Sequence, residues 1–472
     1  MSLPDLIEII PLDKPVRAEI TVPGSKSITN RALILAALAD GDVTLEGALW
    51  SEDTQVMTEA LRTLGFEIKV EADPAEFCNR TITVRGHGGR IPNAGIPEKP
   101  LELFVGNAGT AARFLSAMVC LGQGSYRLHG TPRMHERPQA ALFKALRELG
   151  YRVDSPNDKL PAMIFARSSR GNEAQTDKRS QSLLTSAATS RGIRSCTVSI
   201  EESSQFASAL LLCAKHGGWE VKVVGENAEE SPYVAMTAKL IEAFPNRGGM
   251  FQIEPDASSG SYFWLAGWIA LQMPWSSRAP IPDLRTIPVV VNHWPKSGWQ
   301  IDADFLKFLP LPEHVSREGD LGDSIMGAIV LAAEGECAEH RPFALPTETH
   351  MFFQFTDLGR LRVQECERVL ALRTELTKCG GRVVEKGDSL IVFPAKLNGA
   401  EIETYNDHRM AMCFAILGLK VPGIKIKNPA CVKKTFPNFF QKLAAPPPKG
   451  LGVTILDAKT GRKLEGDELF AD

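Results

Sequence analysis

The chain lacks a strong charge of either sign and any apolar run long enough to cross a membrane. Its 53 Lys and Arg residues nearly balance 56 Asp and Glu residues, so the net charge is −3, which argues against a general nucleic-acid-binding protein. Residues 1–20 contain no basic start followed by an apolar run, and we therefore predict neither a secretion signal nor a membrane partner. A site for anions would need a local concentration of Arg and Lys side chains.

The sequence also lacks paired cysteines. Its nine cysteines are odd in number and scattered, and they include no CxxC pair, so we interpret them as reduced core residues of a cytoplasmic protein. With 44% hydrophobic and 23% charged residues, the chain has the composition of a globular protein. Its length predicts two domains of about 200 residues each.

One stretch places cationic and hydroxyl side chains at the start of an apolar helix. Residues 23–41 read PGSKSITNRALILAALADG, in which a Pro-Gly turn comes first and Ser25 or Ser27 can cap the helix. Lys26 and Arg31 lie near the positive end of the helix dipole, where a phosphate or carboxylate would bind. The phosphate loop GxxxxGK[ST] does not match, because a serine precedes the lysine. The alternative is a capped surface helix with solvated charges.

A helix, a glycine and a strand recur in this order along the chain. The copies are ALRTLGFEIKV from residue 60, ALFKALRELGYRV from residue 141 and ELTKCGGRVVE from residue 375. Glycine suits the left-handed backbone at which helices end. The recurrence predicts one α/β unit used several times in both halves, although this helix ending is also common in other α/β proteins.

Helix starts of one kind occur near residues 23, 106, 130, 203, 359 and 405. Each combines a Gly turn or a hydroxyl cap with an Arg or Lys and an apolar helix. Since the positive ends of helices attract anions, such starts aimed at one cleft would form a pocket of high positive potential between two domains. Any one of them alone could be a solvated helix end.

Three further segments indicate how the chain is divided. Residues 167–195 are rich in Ser, Thr and Arg without apolar periodicity and predict a flexible surface insertion. The GGM at 248–250 is interpreted as the point where the chain changes domain. A proline-rich linker leads to a polar C-terminal tail at 446–472, and this tail and Met1 together suggest a protein that stands alone rather than one module of a larger polypeptide.

Eight motifs follow one another in a distinctive order: PGSKSITNRA, LELFVGNAGTAARFL, PRMHERP, SSQFASALL, DASSGSYF, RVQECERV, YNDHRMAM and KKTFPNFF. Together they resemble the 5-enolpyruvylshikimate-3-phosphate (EPSP) synthase family, from about residue 8 to residue 443. The resemblance implies an α/β (α+β) fold: a two-domain inside-out α/β barrel with six βαβαββ repeats. The implied domains are 1–21 with 248–445, and 22–247. The family is monomeric and uses no metal and no organic cofactor.

By this resemblance the protein transfers the enolpyruvyl group of phosphoenolpyruvate to the 5-hydroxyl of shikimate 3-phosphate. Phosphate is released through a tetrahedral intermediate, in the shikimate pathway of aromatic amino-acid biosynthesis. The implied phosphoenolpyruvate ligands are Lys26, Gly109, Arg137, Gln205, Arg368, Arg409 and Lys434. The implied shikimate 3-phosphate ligands are Lys26, Ser27, Arg31, Ser203, Ser204, Gln205, Ser231, Asp323, Arg360 and Gln364.

This reaction needs a base for the 5-hydroxyl and an acid for C3 of phosphoenolpyruvate. Asp323 is the candidate base, and Glu365, assisted by Lys26, is the candidate acid. Burial beside a like charge would raise the pKa of Glu365, whereas Arg368 would lower it. The sequence leaves that outcome open.

The chain departs from the family pattern at three positions. The family has Asn-x-Arg-Val-Lys-Glu near 360, whereas this chain has Arg360 and Gln364 in place of the Asn and the Lys. Gln364 keeps hydrogen-bonding capacity but no charge, and we expect Arg360 to restore the charge. Phe114 replaces a Pro beside the predicted phosphoenolpyruvate site, so the response to glyphosate, a competitive inhibitor of the family, is left open.

Two alternatives to an active EPSP synthase stay open. The first is an inactive homologue that binds shikimate 3-phosphate, which the neutral Gln364 suggests. The second is an enolpyruvyl transferase for UDP-N-acetylglucosamine. That enzyme carries a reactive loop cysteine, and the corresponding loop GTPRMHERP has none.

Overall fold

The structure is a computed structural model that describes residues 3–166, 194–225, 231–271, 287–334 and 352–471. The predicted flexible insertion at 167–195 falls outside the described residues, apart from Arg194 and Ser195, which begin a strand. None of the described helices is both long and apolar enough to cross a membrane.

Helices and strands alternate along the described chain. The α-helices are α1 (Lys26–Leu38), α2 (Glu52–Thr63), α3 (Gly109–Met118), α4 (Pro132–Glu136), α5 (Ala140–Glu148), α6 (Gln205–Gly217), α7 (Pro232–Ala243), α8 (Ala257–Leu271), α9 (Ile325–Ala333), α10 (Arg368–Lys378), α11 (His408–Leu417) and α12 (Phe439–Ala444). Short 3-10 helices cover Val119–Leu121, Ile301–Phe308, Gly359–Val363, Pro429–Lys434 and Gly466–Leu469.

The strands are short, as expected for small sheets. They are β1 (Leu6–Ile9), β2 (Ala18–Ile20), β3 (Asp42–Leu49), β4 (Ile68–Ala72), β5 (Asn79–Arg85), β6 (Leu101–Phe104), β7 (Ser125–His129), β8 (Arg152–Asp154), β9 (Ala162–Phe165), β10 (Arg194–Ser199), β11 (Trp219–Val224), β12 (Gly249–Gln252), β13 (Val289–Val291), β14 (His314–Ser316), β15 (Phe353–Thr356), β16 (Arg382–Lys386), β17 (Ser389–Phe393), β18 (Glu401–Ile402), β19 (Ile424–Lys427) and β20 (Ile455–Asp457).

The predicted recurrence of helix, glycine and strand is present in the structure. Helices α2, α5 and α10 are followed by Gly65, Gly150 and Gly380, whose φ angles are 93°, 84° and 85°. Only glycine adopts this region without steric cost. The strands that follow, β4, β8 and β16, each pair antiparallel with the next strand in the chain.

The sheets repeat one pattern of strand pairing. Three sheets have the orders β12-β3-β5-β4, β6-β7-β9-β8 and β14-β15-β17-β16, each with one parallel pair and two antiparallel pairs. The sheet β18-β19-β1-β20 has the same combination. The remaining strands form the parallel pairs β10-β11 and β2-β13.

The most buried helices lie inside these sheets. Helices α1, α3 and α6 contact one another, as do α8, α9 and α11, and each of these helices also packs on a different sheet. They bury most of their residues, as helices in the interior of a core do. Helices inside and sheets outside agree with the predicted two-domain α/β fold.

Two hydrophobic cores divide the described chain. One core draws on residues 28–253, and the other on residues 3–22 and 262–471. The connecting segments run side by side, because Ser25 N donates to the carbonyl oxygen of Glu254 at 2.8 Å. A Cβ at Gly24 would lie 2.0 Å from the carbonyl oxygen of Gly47, so this crossing requires glycine.

The chain stays in one hydrophobic core past the GGM at 248–250, where the sequence predicts a change of domain. Residues from Gly249 form β12, which pairs with β3, and Phe251 is buried in the same core as β3. Gly248 and Gly249 have φ angles of 90° and 132°, so they serve a turn between α7 and β12. The chain leaves this core only after Ile253.

The C-terminal segment, which the sequence predicts as a polar tail, packs on the rest of the protein. Strand β20 pairs with β1, and Leu464 and Leu469 are buried. Leu451, Val453 and Ile455 are also buried, with more exposed residues between them. This alternation of buried and exposed residues is the one expected of a strand with one face on a core. It is hard to recognise in the sequence because the segment as a whole is polar.

Candidate functional site

A cavity of about 100 Å³ lies between the two cores. Many of the predicted site residues line it: the substrate ligands Ser27, Arg31, Arg137, Ser203, Ser204, Gln205, Arg360 and Gln364, and the candidate acid Glu365. The sequence did not point to Arg113, Glu202, Tyr233 and Arg317, which line it as well. Several arginines from both cores therefore surround one small space, in a chain whose net charge is −3.

Lys26 begins α1 and lies beside an acidic residue that sequence patterns did not reveal. Its Nζ is 3.2 Å from Oδ2 of Asp53, near the start of α2. Ser25 holds the N-cap position, but its side chain makes no capping hydrogen bond. Thr29 N instead donates to the backbone carbonyl oxygen of Ser25 at 2.8 Å. Of the two serines predicted as possible caps, Ser25 and Ser27, the first therefore does not cap the helix with its side chain.

Arg31 is held in place before any substrate arrives. It is 1% exposed, and Nε donates to Oγ1 of Thr237 at 2.8 Å. Nη1 donates to the carbonyl oxygen of Ser27 at 2.9 Å and Nη2 to Oγ of Ser208 at 3.1 Å. The guanidinium also lies 5.3 Å from the ring centre of Phe114. Burial lowers the pKa of Arg31 to about 10, so it is a cation at neutral pH.

The Gly-rich turn before α3 lets two guanidinium groups approach the backbone. A Cβ at Gly109 would lie 2.3 Å from Nη1 of Arg113 and 2.8 Å from Nη2 of Arg137. Nη1 of Arg113 donates to Oε1 of Gln205 at 3.2 Å, and Nη1 of Arg137 donates to the carbonyl oxygen of Asn107 at 3.2 Å. Burial, and then the neighbouring Arg137, lower the pKa of Arg113. A bound anion would relieve this repulsion.

Glu365 bridges two predicted phosphoenolpyruvate ligands. Its Oε2 accepts from Nη2 of Arg368 at 2.8 Å, and its Oε1 is 3.1 Å from Nζ of Lys434. Burial acts to raise the pKa of Glu365, but Lys434, Arg368, Arg137 and Lys26 outweigh it and hold the pKa well below its ordinary value. The outcome that the sequence left open is therefore an ionised carboxylate.

Arg368 is the centre of the ion-pair network on the cavity wall formed by the core of residues 3–22 and 262–471. It is 1% exposed, and its Nε donates to Oδ2 of Asp407 at 2.6 Å. Its Nη1 contacts the side-chain oxygen of Gln364. The neutral side chain at 364 thus turns toward Arg368, and the charge expected from a lysine is missing there.

Asp323 lies at the same network, next to the cavity rather than in its lining. Its Oδ1 accepts from Nη2 of Arg317 at 2.8 Å, and its Oδ2 is 3.2 Å from Nε of Arg409 and 3.7 Å from Nη1 of Arg368. Burial acts to raise the pKa of Asp323, but these arginines outweigh it, so the pKa lies below the ordinary value. Asp323 is an ionised carboxylate and can accept a proton.

The remaining predicted residues lie at the edges of this arrangement. Lys26 and Arg409 line a smaller pocket that shares Ser27 and Tyr233 with the cavity. Ser231 is the N-cap residue of α7 and is buried. Lys434 also reaches the other core, where its Nζ donates to the carbonyl oxygen of Asn107 at 3.4 Å. The structure thus brings the predicted set into one region, while only part of it lines the cavity.

The relatives of the chain agree with the resemblance of its motifs. Residues 12–247 and 343–443 match the sequence model of a family described as EPSP synthase (3-phosphoshikimate 1-carboxyvinyltransferase). The chain belongs to the EPSP synthase family. A 3-phosphoshikimate 1-carboxyvinyltransferase of Trichormus variabilis is 35% identical over 93% of this chain and 98% of its own length. One of Opitutus terrae is 38% identical over 94% and 98%.

Solved structures of EPSP synthases and related transferases have the same fold. An EPSP synthase from Acinetobacter baumannii matches with a TM-score of 0.62 at 21% identity, over 93% of this chain and 97% of that one. The enolpyruvyl transferase NikO from Streptomyces tendae matches with a TM-score of 0.60 at 15% identity, over 99% and 100%. The resemblance and the fold predicted from the motifs are thereby confirmed.

Sequence reasoning missed two arginines of this EPSP synthase family member for different reasons. Arg113 stands in GTAARFLSAMV, an otherwise apolar helix, and a charge there must be paired because burying it alone is costly. That signal could have identified it. Arg317 lies in the polar loop SREGDLGD, where a buried charge cannot be told from solvated ones.

Proposed function

We propose that the chain transfers the enolpyruvyl group of phosphoenolpyruvate to the 5-hydroxyl of shikimate 3-phosphate and releases phosphate, in the shikimate pathway. The observation that carries this proposal is the cavity between the cores, toward which arginines of both cores converge. Both substrates are polyanions, and guanidinium groups match the oxygens of phosphate and carboxylate.

The proposed ligands follow from the motifs, and the geometry supports their grouping. For shikimate 3-phosphate they are Lys26, Ser27, Arg31, Ser203, Ser204, Gln205, Ser231, Asp323, Arg360 and Gln364. For phosphoenolpyruvate they are Lys26, Gly109, Arg137, Gln205, Arg368, Arg409 and Lys434. In the protein alone the carboxylates of Glu365, Asp323 and Asp407 neutralise part of the second group. Substrate anions would take over this neutralisation.

In the proposed mechanism Asp323 removes the proton of the 5-hydroxyl. The oxygen then attacks C2 of phosphoenolpyruvate, while C3 receives a proton from Glu365 and a tetrahedral intermediate forms. Glu365, now a carboxylate, then takes a proton back from C3 while phosphate departs, which gives the product. Because Lys434 and Arg368 hold the pKa of Glu365 low, binding of phosphoenolpyruvate to these cations would raise that pKa toward the range of a proton donor.

The organisation of the protein is part of the proposal. We infer that the two hydrophobic cores are two domains joined at 23–25 and 254–256, and that a single chain suffices because both walls of the cavity come from it. We also propose a cytoplasmic location. The described cysteines carry free thiols, as is usual in reducing compartments.

One assay tests the function directly. Phosphate release from phosphoenolpyruvate is measured with shikimate 3-phosphate, and in parallel with UDP-N-acetylglucosamine. We expect turnover only with shikimate 3-phosphate, and Lys26→Ala should be folded and nearly inactive. Binding of shikimate 3-phosphate without turnover would indicate an inactive homologue, whereas turnover with UDP-N-acetylglucosamine would replace the proposed substrate.

A further inference from the structure

Two arginines on one wall of the cavity are only partly engaged by the protein. Arg317 follows β14, is 4% exposed, and donates from Nη2 to Oδ1 of Asp323 at 2.8 Å. Its Nε is buried and has no hydrogen-bond partner within the described part of the chain. Arg360, in the 3-10 helix Gly359–Val363, has its Nε 3.3 Å from Oε1 of Glu318. Each guanidinium therefore has donors left for a ligand.

Arg31 on the opposite wall and Gln364 next to Arg360 have less free donor capacity or charge for a ligand. Arg31 already donates from all three of its nitrogens, to Thr237, Ser27 and Ser208. Gln364 carries no charge and contacts Arg368. On the wall that carries Gln364, the positive charge that can still bind an oxyanion therefore comes from Arg317 and Arg360.

We propose that Arg317 and Arg360 form an oxyanion subsite for the phosphate or carboxylate of the shikimate-type substrate, and that Arg317 also orients the carboxylate of Asp323. This inference rests on the proposed function. The planar fork of a guanidinium donates in two directions at once, so Arg317 links the bound oxyanion to the base. It is a positioning residue for Asp323 and a ligand of the substrate.

Calorimetric dissociation constants for shikimate 3-phosphate and for unphosphorylated shikimate test the subsite. We expect Arg317→Ala and Arg360→Ala each to weaken binding of shikimate 3-phosphate by about tenfold to a hundredfold, the range for a lost charge-assisted hydrogen bond. If the subsite holds the phosphate, shikimate binding changes little. If it holds the carboxylate, both ligands weaken alike. Arg373→Ala is the control, because Arg373 is an exposed partner of Glu385, and it should bind like the wild type.

A lysine variant separates the two roles of Arg317. Arg317→Lys keeps the charge but has one ammonium group in place of the fork. We expect it to recover most of the affinity for shikimate 3-phosphate while kcat stays at least tenfold below the wild type, because one ammonium cannot hold Asp323 and the oxyanion together. Recovery of kcat together with affinity would remove the positioning role.

The missing lysine at position 364 supplies the last test. In Arg317→Ala/Arg360→Ala, adding Gln364→Lys should restore binding at least tenfold, because it returns a cation to the same wall. Folded alanine variants that bind shikimate 3-phosphate within twofold of the wild type overturn the subsite. A wild type that binds the ligand without turnover contradicts the proposed function only, since the dissociation constants still decide the subsite.

Discussion

Replacement of Glu365 by glutamine separates the chemical role of this residue from its structural one. The side chain is 11% exposed and accepts from Arg368 at 2.8 Å, with Lys434 at 3.1 Å. Breaking a buried ion pair from one side costs about 3–5 kcal/mol, because the partner is left buried and uncompensated. We therefore expect the free energy of unfolding of Glu365→Gln to fall by about this amount in the absence of ligands.

The same change should not weaken the binding of phosphoenolpyruvate. In the wild type an anionic substrate must replace Glu365 as the partner of Lys434 and Arg368. In Glu365→Gln these cations are already without their carboxylate, so the substrate meets less competition. Catalysis should suffer instead, since loss of a positioned proton donor lowers rates by about a hundredfold to ten-thousandfold.

The assays are kcat from phosphate release, the dissociation constant of phosphoenolpyruvate at saturating shikimate 3-phosphate, and urea unfolding with and without both substrates. Glu367→Gln is the matched control. Its side chain pairs with Arg362 and caps α10 at the Leu370 amide, so it should lose about 0.5–2 kcal/mol of stability and keep its kcat. A kcat for Glu365→Gln within threefold of the wild type would refute the role of Glu365 as the proton donor.

Three further changes test the site and the fold. Gly109→Ala should keep the fold and raise the KM for phosphoenolpyruvate by about tenfold to a hundredfold, because the new methyl group displaces Arg137; steady-state kinetics measure this, and an unchanged KM contradicts it. Ile455→Ala should lose about 2–5 kcal/mol in urea unfolding, as a fully buried residue does, whereas the exposed Lys449→Ala changes stability by less than about 0.5 kcal/mol. The pKa of Asp323 in the folded protein lies below its unfolded value of about 3.9. The ionised carboxylate therefore contributes its full stabilisation of the folded state above about pH 3.9 and loses it as the pH falls through the folded pKa. The difference in unfolding free energy between wild type and Asp323→Asn should thus shrink only in acid.

Much of the fold and the rough location of the candidate site could be predicted from local patterns. Gly65, Gly150 and Gly380 indicated the repeating unit, because only glycine adopts the positive φ at the end of such a helix without steric cost. Gly248 and Gly249 indicate a turn for the same reason, but a positive φ says nothing about which core the next strand joins. Strand β20 was hidden because its alternation is too short to stand out within a polar segment.

The partners within the site could not be predicted, because they depend on contacts between distant parts of the chain. Asp53 meets Lys26, and Arg317 meets Asp323, through the packing of separate loops and helices. The hydrogen bonds that a side chain already makes are equally absent from the sequence. Nothing in PGSKSITNRA shows that the three nitrogens of Arg31 donate to Thr237, Ser27 and Ser208.

The contrast between the two carboxylates supports the proposal that Asp323 is the base and Glu365 the acid. Both are ionised in the protein alone, because arginines and lysines outweigh the effect of burial on their pKa. The partners of Glu365, Lys434 and Arg368, are those that phosphoenolpyruvate would occupy, so its carboxylate loses its stabilising charges when the substrate binds. Asp323 keeps Arg317, whose Nη2 holds Oδ1 at 2.8 Å. Substrate binding would therefore drive the two pKa values apart, leaving a base at the 5-hydroxyl and an acid at C3.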